Sequence, residues 1–253
     1  MSGLFHSWRH PRRCYVICAV ARSGSNLLSD GLRDTGRAGR PNHFFLPSSE
    51  EHFRPKYGFK ADSDFADYVR GVVKKTSTSN EVFAFKLMAW YLPKFLARLR
   101  QTGAFGVPDG SDLEMLHAAF PRLRFIRISR RGKLRQAISK VRATQTGVWK
   151  VQESETPIAD PEFDRALIDR SLAEFKWSED IWDTFFVRLG IRPFQVEYED
   201  LCRDYEGTLR AVLDFLEISL PRKSQIPPPA TVKQSDSLSD EWERRYLAEE
   251  SAG

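Results

Sequence analysis

The sequence predicts an α/β protein with a central parallel sheet flanked by helices, and three observations carry that reading. Short apolar runs recur at Arg13 to Ala21, Val82 to Met88, Leu123 to Ser129 and Arg192 to Glu197. Helix-length segments separate each run from the next, the pattern of right-handed βαβ crossovers. The first run then breaks into Ala21-Arg22-Ser23-Gly24-Ser25-Asn26 and resumes as Leu27-Leu28. Apolar strand, small polar turn and helix start together build a cradle for a phosphate or sulfate group.

Taken in order, Arg13 to Ala21 is a buried strand, and the spacing of Cys14 and Cys18 puts both on one face, in the core. Asn26 to Thr35 is a helix stopped by Gly36. Ala38 to Ser48 is a loop carrying Gly39, Pro41 and Pro47. Asp64 to Lys75 has helical spacing, Val82 to Met88 is the second strand, and Trp90 to Arg100 is a helix. After a loop from Gly103 to Gly110 come a short helix, Asp112 to Phe120, and the third strand, Leu123 to Ser129. Lys133 to Thr146 is helical, and Asp160 to Leu189 is a long helix or helix pair. Arg192 to Glu197 is the fourth strand and Leu201 to Leu216 the next helix. Pro221 to Ala230 is extended, Lys233 to Asp240 a polar loop, and Glu241 to Tyr246 a short final helix. With a Trp and a Tyr in it, this tail is expected to fold back on the rest of the chain.

The chain has 253 residues, which fits one domain spanning 1–253, with 41% apolar and 29% charged residues as in ordinary globular proteins. A net charge of +5 favours anionic partners, but no run of like charge marks nucleic acid as one of them. Three cysteines without pattern argue against a disulfide framework. The apolar run after the basic N-terminus is about seven residues, too short for a transmembrane segment, so the chain is read as cytoplasmic.

In a parallel sheet, ligands bind beyond the carboxyl ends of the strands. Those positions here hold Arg22 to Ser25, Lys86, Arg130-Arg131 and Tyr198-Glu199-Asp200. In the first turn Gly24 admits close backbone approach, Ser23 and Ser25 add hydroxyl donors, and Arg22 adds charge. The GK[ST] ending of an ATP-type phosphate loop is missing, since Asn26 and Leu27 stand there.

These segments match a known family. The chain resembles the 3′-phosphoadenylyl sulfate (PAPS)-dependent sulfotransferases, and among them the bacterial trehalose 2-sulfotransferase-like family. The resemblance runs through ARSGSNLL, TGRAGRPNHFF (Thr35 to Phe45), FKLMAW (Phe85 to Trp90), Ile128 to Trp149, VEYEDL (Val196 to Leu201) and Lys233 to Tyr246. It implies a P-loop-like sulfotransferase fold and transfer of the sulfuryl group of PAPS to a hydroxyl of a small molecule, a sugar or glycolipid, with 3′-phosphoadenosine 5′-phosphate (PAP) as product and no metal. Arg22, Ser23, Gly24, Ser25, Asn26 and Leu27 would hold the 5′-phosphosulfate. Arg130 and Ser139 would hold the 3′-phosphate, and Lys86 would hold or neutralise the donor. Lys233, Gln234 and Ser235, within a segment 221–246, would close over the nucleotide. Relatives can dimerise, so a homodimer is compatible.

The chain departs from the family at the acceptor side. Relatives carry Glu two residues after the Pro of G-x-P-x-E-F-F, a general base; here the segment is Gly39-Arg40-Pro41-Asn42-His43-Phe44-Phe45. Histidine, with an ordinary pKa near 6.5, can take a hydroxyl proton near neutral pH. Arg40 adds positive charge near the acceptor. Blander readings stay open: His43 as a packed loop residue, Lys86 as a solvated lysine, Arg131 in place of Arg130, and Ser139 bonded to its own helix. Glu199 and Asp200 read as caps of the following helix. The tryptophans Trp149, Trp177, Trp182 and Trp242 read as packing. Acceptor-lining loops are expected at Phe44 to Tyr57, Thr76 to Asn80 and Thr146 to Pro157. Two other functions remain as alternatives: a non-catalytic PAPS- or glycan-binding protein, and a P-loop kinase. The kinase needs a lysine in the turn and a metal-binding Asp at a strand end, where Ser129-Arg130 stand.

Overall fold

The computed structural model describes residues 11–60, 62–106, 109–149, 158–221, 225–229 and 237–251. Four parallel strands, β1 (Arg13–Ala19), β2 (Val82–Met88), β3 (Leu123–Ser129) and β4 (Phe194–Glu197), form one sheet in the order β2-β1-β3-β4. The helices are α1 (Ser25–Asp34), α2 (Pro47–Lys56), α3 (Phe65–Thr76), α4 (Leu92–Gln101), α5 (Asp112–Ala119), α6 (Lys133–Thr146), α7 (Arg165–Leu189), α8 (Tyr198–Arg203), α9 (Tyr205–Phe215) and α10 (Ser237–Ser251). The expected parallel α/β architecture is observed.

The register follows from the side-chain period of two. Cys14, Val16 and Cys18 of β1 share one apolar layer with Phe83, Phe85 and Leu87 of β2, under α3, α4, α5, α6 and α7. Tyr15, Ile17 and Ala19 join Val82 and Ala84 under α1 and α9, against Leu28, Leu32, Leu209 and Val212. Covered on both faces, β1 is continuously apolar rather than alternating, which is why it reads so plainly in the sequence. Trp182 of α7 lies across the end of β1, its indole N–H donating to the Ala19 carbonyl at 3.1 Å and its ring stacked on Phe186. That bond closes the strand just where the turn begins.

Several boundaries differ from the sequence expectation. The first strand stops at Ala19, because the next carbonyl, of Val20, accepts from the Ser23 N–H (3.3 Å) and starts the turn. Residues 47–56, expected as part of a loop and its continuation, form α2. The segment expected as a helix from Trp90 begins with a 3₁₀ turn, Ala89–Tyr91, and Asp160 to Leu189 is one helix starting at Arg165, capped by Asp164. Leu201 to Leu216 is two helices, split at Asp204, whose carboxylate accepts from the Gly207 N–H (2.9 Å) and caps the second.

The last helix is longer than expected: residues 237–240, read as loop, are helical. It packs on α6, with Trp242 and Tyr246 buried, Arg135 paired with Asp240 and Glu243 (both 2.5 Å), and Arg142 donating to Ser239 Oγ (2.6 Å). Among the described residues no helix is long and apolar enough to cross a membrane.

Candidate active site

The turn after β1 is built by alternating backbone conformations. Arg22 (φ 59°) and Gly24 (φ 89°) are both left-handed and bracket Ser23. Such alternation turns successive N–H groups toward one side and makes an anion-binding concavity. The first turn of α1 carries no acidic residue and no side-chain cap, so its N–H groups and the positive end of the helix dipole remain available to an anion. Gly24 is required twice over: its φ disfavours any other residue, and a Cβ there would lie 2.3 Å from Tyr198 Cδ2. Ser23 is fully buried at the centre of the turn, and its Oγ has no hydrogen-bond partner.

Cationic groups converge on this turn from β3 and α6. Arg22 Nε donates to Ser139 Oγ at 2.9 Å and Arg22 Nη1 to the Trp149 carbonyl at 2.5 Å. Arg130 lies 4.6 Å over the Tyr198 ring, its Nη1 3.4 Å from the Arg22 carbonyl, and its buried Nε has no partner. Burial first, then the guanidiniums of Arg130 and Arg142, push Arg22 below the usual arginine range. Burial does the same to Arg130. Two desolvated guanidiniums held together are unfavourable by themselves and become favourable when an anion sits between them. Arg131 is excluded from this group: it is exposed and paired with Asp200 at 2.7 Å. Arg22 thus meets Arg130 and Ser139, which lie more than a hundred residues further along the chain.

Glu199 and Asp200 lie, as expected, in the first turn of the helix that follows β4, where acidic groups are favoured, and they also reach beyond it. The Glu199 carboxylate accepts from the backbone N–H groups of Arg131 and Gly132 (3.1 Å each) and so caps the start of α6, while Asp200 pairs with Arg131 and Arg203. Burial tends to raise Glu199, but the two N–H bonds outweigh it and hold the carboxyl below the usual range. A lowered folded pKa means stability that is present above the unfolded value of about 4.3 and lost as pH falls through the folded one. Glu199→Gln is therefore expected to cost about 1 kcal/mol at pH 7. The difference in Tm from the parent should close as pH is lowered toward 3; a difference independent of pH would contradict the charged cap.

The other half of the site stands at the end of β2. Lys86 is buried, with Nζ 2.5 Å from Asn26 Oδ1 in the first turn of α1. The segment from Gly39 runs beside β2: Gly39 (φ 78°) lies against Ala84, and the Lys86 N–H donates to the Asn42 carbonyl at 2.9 Å. His43 follows directly, half-buried, its N–H bonded to Asn42 Oδ1 at 2.8 Å. Lys86, Asn26 and the His43 loop therefore meet at the carboxyl end of β2, beside the turn. Among the described residues there is no cluster of three or more His, Cys, Asp or Glu placed to hold a metal.

The Stf0 sulphotransferase family model matches residues 14–249. The chain belongs to that family. It is 30% identical over 267 residues to the trehalose 2-sulfotransferase of Mycolicibacterium smegmatis, covering 94% of this chain and 95% of that one. It is 29% identical over 266 residues to the trehalose 2-sulfotransferase of Mycobacterium tuberculosis, with the same coverage. Among solved structures, a sulfotransferase from Alicyclobacillus acidocaldarius aligns over 95% of this chain and 92% of its own at 13% identity and a TM-score of 0.44. The chain is an Stf0-family sulfotransferase homologue built on a parallel α/β sheet.

Not every sequence expectation for this Stf0 member holds. Of the expected acceptor loops, Thr76 to Asn80 lies at the wrong end of the sheet, since the Thr78 N–H donates to the Val82 carbonyl at the start of β2. Phe44 to Tyr57 is mostly helix α2, with Phe44, Phe45 and Phe53 in the core. Of the third, residues 150–157 lie outside the described residues, as do Lys233, Gln234 and Ser235. Trp182 and Trp242 are packed, but Trp149 and Trp177 are 48% and 54% exposed. Sequence reasoning missed Tyr198 as the floor under Gly24 and Arg130. It also missed Gln136, buried in α6, whose Nε2 donates to the Ala21 carbonyl at 2.7 Å. A polar residue on the apolar face of α6 was the available signal for the latter.

Proposed function

We propose that this chain transfers the sulfuryl group of PAPS to a hydroxyl of a small molecule, a sugar or a glycolipid. The observation that carries the reading is the turn itself: a left-handed turn at Gly24, packed too closely on Tyr198 to admit a Cβ and flanked by Arg22, Arg130 and Ser139, with buried Arg130 Nε and Ser23 Oγ lacking partners. A nucleotide rich in phosphate suits this cluster of donors, and an orphaned buried donor is costly until a ligand meets it. Both relatives at about 30% identity are named for sulfation of trehalose, which favours a sugar acceptor.

PAPS supplies an activated sulfuryl group whose transfer, like phosphoryl transfer, demands positioning and charge stabilisation rather than covalent catalysis. The turn N–H groups, Arg22 and the serines hold the 5′ end, while Arg130 with Ser139 holds the 3′-phosphate. His43 accepts the acceptor's hydroxyl proton as the acceptor oxygen bonds to sulfur. Lys86 neutralises the bridging oxygen that leaves with the electron pair of the broken S–O bond. Lys233, Gln234 and Ser235 are proposed to complete the nucleotide site from the tail, which α10 anchors on α6. In this reading residues 1–253 act as one domain.

The test is PAP release from PAPS with trehalose and a panel of glycans and glycolipids, with Lys86→Met alongside. Product sulfated on a hydroxyl is expected, and Lys86→Met should bind PAP yet turn over roughly 10²-fold more slowly. PAP binding without turnover on any acceptor would favour the non-catalytic alternative.

A further inference from the structure

Tyr68 of α3 is fully buried, and its hydroxyl donates to the carbonyl of Phe44 at 2.8 Å. That carbonyl is the one immediately after His43. The ring needs no hydroxyl to pack: it meets Phe45 edge-on, stacks on Phe65, and is covered by the Arg54 guanidinium at 4.7 Å. Burial first, and then the nearby Glu50 carboxylate, push Tyr68 above the usual tyrosine range, so the hydroxyl stays a donor. Arg54 is fixed by Glu50 (2.6 Å), which also takes Arg98 of α4 (2.8 Å), and Arg98 donates to Tyr91 Oη (2.9 Å). Tyr91 stands just past β2, the strand that carries Lys86. A chain of hydrogen bonds and ion pairs, joined at Tyr68 and Arg54 by a cation–π contact, therefore ties the backbone behind His43 to the end of the Lys86 strand.

We propose that Tyr68 is a positioning residue, whose bond to the Phe44 carbonyl fixes the Phe44–Phe45 peptide, holds the backbone that follows His43 and so aims the imidazole. The proposal rests on the reading of His43 as the base. The three other contacts of the loop backbone, Lys86 N–H to the Asn42 carbonyl, His43 N–H to Asn42 Oδ1 and Leu46 N–H to the His43 carbonyl, reach only as far as the His43–Phe44 peptide and do not hold the Phe44 carbonyl. Removing the hydroxyl alone frees it to turn while the aromatic packing stays. Misplacement of a reacting group by about 1 Å can cost roughly 10²-fold in rate, so a partial loss of aim should cost about tenfold.

The experiment is a double-mutant cycle of Tyr68→Phe and His43→Ala, read as kcat, donor KM and Tm. Tyr68→Phe is expected to lower kcat about tenfold in the parent, with donor KM and PAP binding unchanged and no loss of fold. In the His43→Ala background it should change kcat by less than twofold, because nothing remains to be aimed. An equal loss in both backgrounds, or no loss in the parent, overturns the positioning role while leaving the base in place. Full turnover by His43→Ala alone overturns the base and this inference with it.

Discussion

His43→Ala should lower kcat by about 10²–10⁴ while leaving PAP affinity and donor KM near the parent's. The split follows from where the residue sits. His43 belongs to the segment beside β2, bonded through Asn42 to Lys86, whereas the groups proposed for the nucleotide belong to the β1 turn, the end of β3 and α6. If His43 is the base, deleting the imidazole removes a proton acceptor used in the transition state and no ground-state contact to the donor. Its backbone bonds, to Asn42 and Leu46, need no side chain at 43, so the loop should hold its path. His43→Glu, which restores a proton acceptor at that place, should recover part of the rate. Steady-state PAP release with saturating acceptor measures both. A His43→Ala enzyme within threefold of the parent would remove His43 from the chemistry.

Gly24→Ala should weaken PAP binding by more than about 10²-fold and lower Tm by roughly 4–8 °C. The left-handed backbone alone costs a non-glycine residue about 1–2 kcal/mol. The new methyl would also lie 2.3 Å from the Tyr198 ring, so ring or turn must move. Either movement damages the site, because Arg130 rests on that ring at 4.6 Å. For a chain of this size each kcal/mol shifts Tm by about 2–4 °C. Gly36→Ala is the control: φ is 66°, but nothing stands within 4 Å of its Cβ, so it meets only the backbone cost. It should reduce Tm slightly and leave PAP binding intact. Gly24→Ala binding PAP like the parent would mean that the turn is not where the nucleotide sits.

The elements that read correctly are those whose apolar pattern is set by burial. β2, β3 and α6 match at both ends: β2 follows Glu81, β3 is flanked by Arg122 and Arg130, and α6 by Gly132 and Gly147. Helix α2 was illegible for the opposite reason. Its core-facing residues are Phe53 and Glu50, and the glutamate is buried only because Arg54 and Arg98 pair with it, a compensation brought from α4. Pro47 strengthened the loop reading, although proline is welcome in a first helical turn. The break at Asp204 depends on a cap that looks like any acidic residue in a helix. In the site, the turn and Lys86 were visible as polar residues at strand ends. Tyr198 under Gly24, and the bonds of Glu199 to the start of α6, depend on the packing of β4 beside β3, which no local pattern encodes.

The most direct measurement is a thermal shift series with PAP, ADP and ATP–Mg²⁺ on the parent and on Arg130→Ala. A ligand that binds only the native state at 100 times its Kd adds about 2.7 kcal/mol. At about 2–4 °C per kcal/mol that is roughly 5–10 °C. PAP should give the largest shift on the parent, and Arg130→Ala should reduce it to that of ADP, as expected if Arg130 holds the 3′-phosphate. No shift with PAP, or a larger one with ATP–Mg²⁺, would contradict a sulfotransferase nucleotide site and return the chain to the kinase alternative.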